Sequence, residues 1–274
     1  MEGGVSMLGA IIGDLAGSIY EFNQSKNAQP ITVRNLISED NFFTDDTILT
    51  VAILDAILNA EHGEIPDYES FLKEYGKKFI NYQPKTSCAH FDKPFSPNFL
   101  QWVYGKNDGK SEGNGAMMRI SPVAYLFNDI DAMHDNVMYA TYTSHHSSEA
   151  FHGANMIATA IYLARQGYGQ EEICRKLWFS CQYTPFTRFN YLCSDTVDNC
   201  LAVALTADSF EDAVRTIISL GGDTDTNACI VGSIAEVIFG IPKELKEFAL
   251  AKIPDEFISV LKEGYSRIEP IELV

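Results

Sequence analysis

Along most of the chain apolar residues recur at spacings of three and four, and no stretch alternates apolar with polar residues over the length of a strand. The pattern predicts an all-α protein. In "DYESFLKEYGKKFI", residues 67–80, Tyr68, Phe71, Leu72, Tyr75 and Phe79 form one apolar stripe with charges opposite, which predicts a surface helix. "SFEDAVRTIISLGG" opens with Ser209 as an N-cap, carries acids in its first turn and ends in paired glycines. Pro242 and Pro254 sit where two short C-terminal helices would begin. The stretch 81–115 is rich in Pro, Gly, Asn and aromatic residues and lacks helical period, so it reads as a long irregular segment of the kind that carries function.

Two segments have no polar face: "TILTVAILDAIL" after Asp46 and "NACIVGSIAEVIFG" after Asp225. Such helices belong in the middle of a bundle, wrapped by amphipathic ones. Near the N-terminus Gly9, Gly13 and Gly17 recur every four residues, a spacing that lets another backbone approach closely. No linker or tandem repeat breaks the chain, so residues 1–274 are expected to form one domain, with "MEGGVS" (1–6) as a flexible tail.

With 274 residues, 46% of them hydrophobic, the chain can bury a large core. Its net charge of −17 argues against binding a phosphate backbone, which needs clustered Lys and Arg, so nucleic acid is not an expected partner. Cys88, Cys174, Cys181, Cys193, Cys200 and Cys229 contain no C-x-x-C pair and no histidine at zinc-site spacing. The expectation is free thiols in a reducing cytoplasm, with Cys181, Cys200 and Cys229 acting as small hydrophobes. "MLGAIIGDLAGSIYEF" is too short for a membrane span, carries Asp14 and Glu21, and lacks the basic leader of a signal peptide, so no membrane partner is expected.

The candidate chemistry lies where the two apolar helices begin. "FFTDDTILTV", residues 42–51, sets Asp45 beside Asp46, and "SLGGDTDTNACIVGS" alternates Asp223 and Asp225 with Thr224 and Thr226. Buried neighbouring carboxylates repel and need compensation. One per helix start is explained by the helix dipole, worth about 0.3–1 kcal/mol at an exposed site, but two exceed what capping requires. Carboxylates with hydroxyls form an oxygen-only set suited to Mg²⁺, Mn²⁺ or Ca²⁺ rather than Zn²⁺. On spacing alone three readings stand: a metal site, helix capping with hydrogen bonds, or an Arg-paired network.

Five stretches taken in order, "GAIIGDLAGSIYEF" (9–22), "FFTDDTILTVA" (42–52), "GNGAMMRISPVA" (113–124), "SHHSSEAFHGA" (144–154) and "SFEDAVRTIISLGGDTDTNACIVGSIAE" (209–236), resemble the ADP-ribosylglycohydrolases over most of the chain. The resemblance implies an all-α, single-domain orthogonal helical bundle with a binuclear metal centre in a central cleft that holds ADP-ribose. Two divalent cations, Mg²⁺ or Mn²⁺, are implied as cofactors. Carried over by motif, the ligands are Thr44, Asp45 and Asp46 from the first site and Asp223, Asp225 and Thr226 from the second. Asp14 would support the metal shell or serve as a cap. Glu21 resembles a glutamate on a mobile loop near the metals, with a solvated helix-end carboxylate as the alternative. Glu21 and Asp46 are the acid–base candidates.

"GKSEGNGAMMRISP" resembles the loop that wraps the diphosphate and the adjacent ribose, with Ser111, Gly113, Asn114 and Gly115 as contacts. Glu112 stands where relatives often carry an aromatic, and Arg119 either ties the loop down or touches substrate. His145 matches a histidine lining the cleft, His146 and His152 have no assigned role, and Ser148 stands where many bacterial relatives have proline. The implied activity is hydrolysis of the bond between C1″ of ADP-ribose and an acceptor on a protein or small molecule, by a cytoplasmic monomer. A non-catalytic ADP-ribose-binding protein and a hydrolase of another nucleotide-derived glycoside or phosphoester remain as alternatives. The acceptor would face segments 95–104 and 186–191.

Overall fold

The computed structural model describes residues 7–21, 28–87, 91 and 93–269; the tail 1–6 and Cys88 lie outside them. In chain order the helices are α1 (Gly9–Glu21), α2 (Asp45–Asn59), α3 (Tyr68–Lys78), α4 (Pro97–Val103), α5 (Gly115–Met118), α6 (Ser121–Leu126) and α7 (Ile130–Tyr142). There follow α8 (Ser148–Arg165), α9 (Gln170–Lys176), α10 (Cys193–Ala204), α11 (Phe210–Ser219), α12 (Thr224–Phe239), α13 (Lys243–Lys252) and α14 (Asp255–Ser266). Among the described residues extended pairing is limited to two isolated bridges, Lys110 with His145 and Gly113 with Leu192. The fold is all-α.

α1 and α12 pack backbone against backbone, and glycine is the reason. A Cβ on Gly9 would strike the Gly232 carbonyl, one on Gly13 the Ala228 carbonyl, and one on Gly17 the Thr224 carbonyl. Positions climb by four on α1 as they fall by four on α12, so the pair is antiparallel and its register is fixed by backbone contact. Gly232 returns the constraint, since its own Cβ would meet the Gly9 carbonyl. Two consequences follow from this register. Glu236, near the end of α12, accepts hydrogen bonds from the N–H groups of Met7 (3.0 Å) and Gly9 (2.7 Å), satisfying donors at the start of α1. At the opposite end, the last residue of α1, Glu21, comes beside the first residues of α12.

α2 and α12 are buried along most of their length, as their all-round apolar pattern predicts. α3 buries Tyr68, Leu72 and Tyr75, and its cap Asp67 accepts from the Ser70 N–H at 3.0 Å. Ser209 caps α11 through the Asp212 N–H at 3.1 Å, and Gly221 and Gly222 leave that helix at φ +80° and +78°. Pro242 and Pro254 occupy the N-caps of α13 and α14.

Two expectations need correction. The stretch 81–115 contains α4, capped by Ser96 with Pro97 as its first residue, and burying Phe99, Trp102 and Val103. Seven residues span barely two turns, too few to display a period. Cys174 and Cys181 are joined in a disulfide rather than free. After α9 the chain turns back through Trp178 (φ +52°), which brings the two Cα atoms to 6.7 Å, within bridging range. Cys181 is therefore not a packed thiol; Cys193, Cys200 and Cys229 are free and buried. No helix among the described residues is long and apolar enough to cross a membrane.

Candidate metal centre and cleft

Three helices deliver the carboxylates. Thr44 caps α2, so Asp45 and Asp46 are its first two residues, and Asp223 holds the N-cap position of α12 ahead of Asp225. α1 brings Asp14 from its middle and Glu21 from its end. Thr226 Oγ1 donates to Asp46 Oδ2 at 3.2 Å, tying the start of α12 to the start of α2. Asp14 accepts from the N–H (2.9 Å) and hydroxyl (2.9 Å) of Thr44 and from the N–H (3.1 Å) and hydroxyl of Thr47. It thus caps a neighbouring helix while standing in the cluster. Thr47, a residue the motif reading missed, is marked only by its threonine on the buried side of an N-terminal turn.

Oxygens of Asp14, Asp46 and Asp225 lie within 4.8 Å of one another, and so do those of Glu21, Asp223 and Asp225. Asp225 belongs to both groups; Asp45 belongs to neither, although it lines the adjoining cleft. Among the described residues no ion pair reaches any of these six side chains. Among the described residues the acids are thus not held by an Arg-paired network; Arg119 acts on Asp45 only through space, as a lesser influence than burial and the neighbouring carboxylates. Burial first, and neighbouring carboxylates second, push the acids up: Asp14 to about 7, and Glu21, Asp45, Asp46 and Asp225 well above the usual range. Asp223 is raised by burial to about 6, moderated by hydrogen bonding with Asp225 and then with Asn114.

The residues fit a divalent cation. Asp46 Oδ1 is buried and has no hydrogen-bond partner among the described residues, a state that costs about 1–3 kcal/mol or more for a charged group. An ion with oxygen ligands would satisfy it and cancel the mutual repulsion, and the donor set is oxygen-only, as hard cations require. Glu21 ends a helix rather than riding on a loop, and it lines the cleft.

That cleft has a volume of about 840 Å³. Thr44, Asp45, Asp223, Asp225 and Thr226 line it together with Ser111, Gly113, Asn114, Gly115 and His145, so every sequence-predicted site residue except Asp46 reaches it among the described lining. Phe95, Phe99, Trp102, Phe189 and Tyr191 supply aromatic walls from the two segments expected to face an acceptor.

The loop ahead of α5 is held from both sides. Asn114 N–H donates to the Tyr191 carbonyl (2.9 Å), and Cys193 N–H to the Glu112 carbonyl (2.9 Å). Two of the expected ligand contacts are already engaged within the protein: Gly113 N–H donates to Ser111 Oγ at 3.1 Å, and Asn114 Nδ2 to Asp223 Oδ2 at 2.7 Å. Asn114 thus orients a carboxylate. Glu112 is exposed at the rim.

His145 Nδ1 lies 2.8 Å from Ser144 Oγ and 3.5 Å from Arg119 Nη2. Burial and the adjacent guanidinium hold its pKa well below the usual value, so the ring is neutral at pH 7. Arg119 donates to Ser144 Oγ (2.7 Å) and the Ala140 carbonyl (3.4 Å), tying down the His145 region while also lining the cleft. Burial lowers it to about 10, which leaves it charged. His146 stacks on Tyr142 with ring centroids 4.4 Å apart, and His152 is exposed. Ser147 caps α8, accepting from Ala150 N–H at 3.1 Å, so the start of that helix does not depend on a proline at Ser148.

The family pattern of the ADP-ribosylglycohydrolases matches residues 5–272, nearly the whole chain, with these carboxylates inside it. The chain belongs to the ADP-ribosylglycohydrolase family. It is 26% identical over 183 residues to mouse ADP-ribosylhydrolase ARH3, covering 61% of this chain and 50% of that protein. Against the ADP-ribosylarginine hydrolase Tri1 of Pseudomonas putida it is 21% identical over 266 residues, covering 86% of this chain and 70% of the relative. The chain thus spans about half the length of the ARH3 relatives it matches. A solved structure titled an ADP-ribosylglycohydrolase-related protein complex superposes with a TM-score of 0.71 at 19% identity, covering 96% of each chain. At that identity the likeness concerns the fold, which it confirms as the all-α family architecture.

Proposed function

We propose that this family member is a metal-dependent hydrolase that removes ADP-ribose from an ADP-ribosylated protein or small molecule by cleaving the glycosidic bond at C1″. The observation that carries this reading is the convergence of carboxylates from α1, α2 and α12 at a large cleft, with Asp46 Oδ1 buried and without a hydrogen-bond partner among the described residues. The names of the ARH3 and Tri1 relatives, both ADP-ribosyl hydrolases, supply the substrate class. Thr44, Asp45, Asp46, Asp223, Asp225 and Thr226 would hold two divalent cations, Mg²⁺ or Mn²⁺. Such a pair, when bound, supplies Lewis-acid charge that activates water and orients hydroxyl groups.

The protein's own residues do the rest. Glu21 lines the cleft, and burial, with the neighbouring carboxylates second, raises its pKa above the usual carboxylate range, the direction expected of a group that exchanges protons with the leaving atom or with water. Asp46 is buried away from the lining, so of the two acid–base candidates Glu21 takes the proton-transfer role and Asp46 acts as a ligand. Departure of the acceptor builds positive charge at C1″, and Asp223 and Asp225, which also line the cleft, stabilise it. The loop from Ser111 to Gly115, with the neutral His145 ring behind Gly115, shapes the half of the cleft that receives the nucleotide. Residues 1–274 are read as one such domain, acting as a monomer.

The test is release of ADP-ribose, followed by mass spectrometry, from arginine-linked and serine-linked ADP-ribosyl peptides with Mg²⁺, with Mn²⁺ and with EDTA. Release from one peptide that EDTA abolishes is the expected result and names the acceptor. Binding of ADP-ribose without cleavage of either peptide would replace this reading with that of a binding protein or a hydrolase of another nucleotide glycoside.

A further inference from the structure

Asn190 belongs to no helix and has no role of its own within the segment 186–191, yet it is 1% exposed and both ends of its amide are engaged. Its Oδ1 accepts from the Asp223 N–H at 2.9 Å and from Asn227 Nδ2 at 3.3 Å. Its Nδ2 donates to Asn227 Oδ1 at 2.8 Å and to Thr196 Oγ1 at 2.9 Å. Its main-chain carbonyl accepts from Asn114 Nδ2 at 3.2 Å, the same nitrogen that donates to Asp223 Oδ2. Asp223 is therefore gripped twice. Its N–H is fixed by the Asn190 side chain, and its carboxylate is fixed by an amide that itself rests on the Asn190 backbone.

The site is built around this residue. A Cβ on Gly222 would collide with Asn190 Oδ1, and Gly222 has φ +78°, so the approach of Asn190 to the start of α12 requires glycine there. An aspartate at an N-cap ordinarily spends its carboxylate on the N–H groups of its own helix. Asp223 does not: it makes no side-chain cap bond, and its oxygen turns to Asn114 and the cleft. The N–H bond from Asp223 to Asn190 holds the backbone in place while the carboxylate stays available. Phe189 and Tyr191, the neighbours of Asn190, line the cleft, so the same three residues carry an aromatic wall and the anchor of a carboxylate.

We propose that Asn190 is a positioning residue that aims Asp223 at the cations and locks the aromatic wall to the metal centre. This rests on the metal-centre reading given above. Groups that orient ligands in this way typically contribute about 10–100-fold in metal affinity. The experiment is calorimetric titration of Mn²⁺ into EDTA-stripped wild type, Asn190→Ala and Thr196→Val, with thermal unfolding of each metal-free protein alongside. Thr196 Oγ1 meets Asn190 at its Nδ2 (2.9 Å) and, more loosely, at its main-chain carbonyl (3.5 Å), but it takes part in neither the Asp223 N–H bond nor the Asn114–Asp223 bond, so Thr196→Val disturbs the same network without removing either grip on Asp223. The expected result is that Asn190→Ala loses about 10–100-fold in Mn²⁺ affinity while Thr196→Val stays within about twofold of wild type despite a lowered Tm. Unchanged affinity in a folded Asn190→Ala, or an equal loss in Thr196→Val, overturns the proposal while the metal reading survives. Absence of Mn²⁺ binding by wild type overturns both. If Asn190→Ala does not fold, Asn190→Ser, which keeps a polar group in the gap, is judged by the same criterion.

Discussion

Asp46 has one buried oxygen without a partner and sits among acids that raise its pKa, chiefly after burial itself, so in the absence of metal its charge works against the fold. Asp46→Asn is expected to do two opposite things. It should raise the stability of the EDTA-treated protein by about 1–3 kcal/mol, at roughly 2–4 °C in Tm per kcal/mol for a chain near this size, and it should abolish Mn²⁺ binding. Thermal unfolding with and without Mn²⁺ reads both effects. A side chain kept for packing would show the reverse, with lower stability and no change in metal response. Glu21→Gln separates the other candidate: binding at the Asp14, Asp46 and Asp225 group, which Glu21 does not enter, should survive, while ADP-ribose release falls about 100-fold or more, the usual scale for losing an acid–base group.

At the level of helices, register carries the site. Gly13 lies against the Ala228 carbonyl, and a methyl group there can only be accommodated by parting α1 from α12. Gly13→Ala is expected to cost at least about 1–3 kcal/mol in denaturant unfolding. It should also weaken Mn²⁺ binding, because α1 and α12 each contribute carboxylates. Ser148→Pro tests the start of α8 in the opposite sense. Ser148 is exposed at the first helical position, and Ser147 before it is extended (φ −140°, ψ 153°), as a residue preceding proline must be. Tm should hold or rise by the equivalent of up to about 1 kcal/mol. Much of this was legible in the chain itself: caps, acidic first turns and apolar periods located α2, α3, α11 and α12, and the glycine spacing announced a close helix contact. The partner of that contact was not legible, since spacing on one helix does not name the other. Asn190 escaped notice because its meaning lies chiefly in three residues distant in sequence, Asn114, Asp223 and Asn227, α4 because it is short, and the Cys174–Cys181 bridge because its spacing matches no local motif.

For the whole molecule, the clustered acids make stability depend on pH and on metal together. Burial raises Asp14 from an ordinary 3.8 to about 7 and Asp223 to about 6, so between those limits the folded protein holds protons that the unfolded chain has released. Stability contributed by these groups is therefore present at low pH and lost as pH rises from about 4 to about 7. The Tm of EDTA-treated protein should fall over that range. With excess Mn²⁺ the trend should reverse, since cation binding requires the deprotonated carboxylates and stabilises only the folded state. A metal-free Tm that rises through the same window would mean that the acids are compensated from within the protein. The most direct measurement is the number of Mn²⁺ ions bound per chain at neutral pH, by equilibrium dialysis of EDTA-stripped wild type and Asp225→Ala. Asp225 is common to both carboxylate groups, so the prediction is two ions for wild type and a loss of tight binding at both positions in the variant. Wild type that binds none, or a folded Asp225→Ala that binds as wild type does, would contradict the metal centre on which the whole account stands.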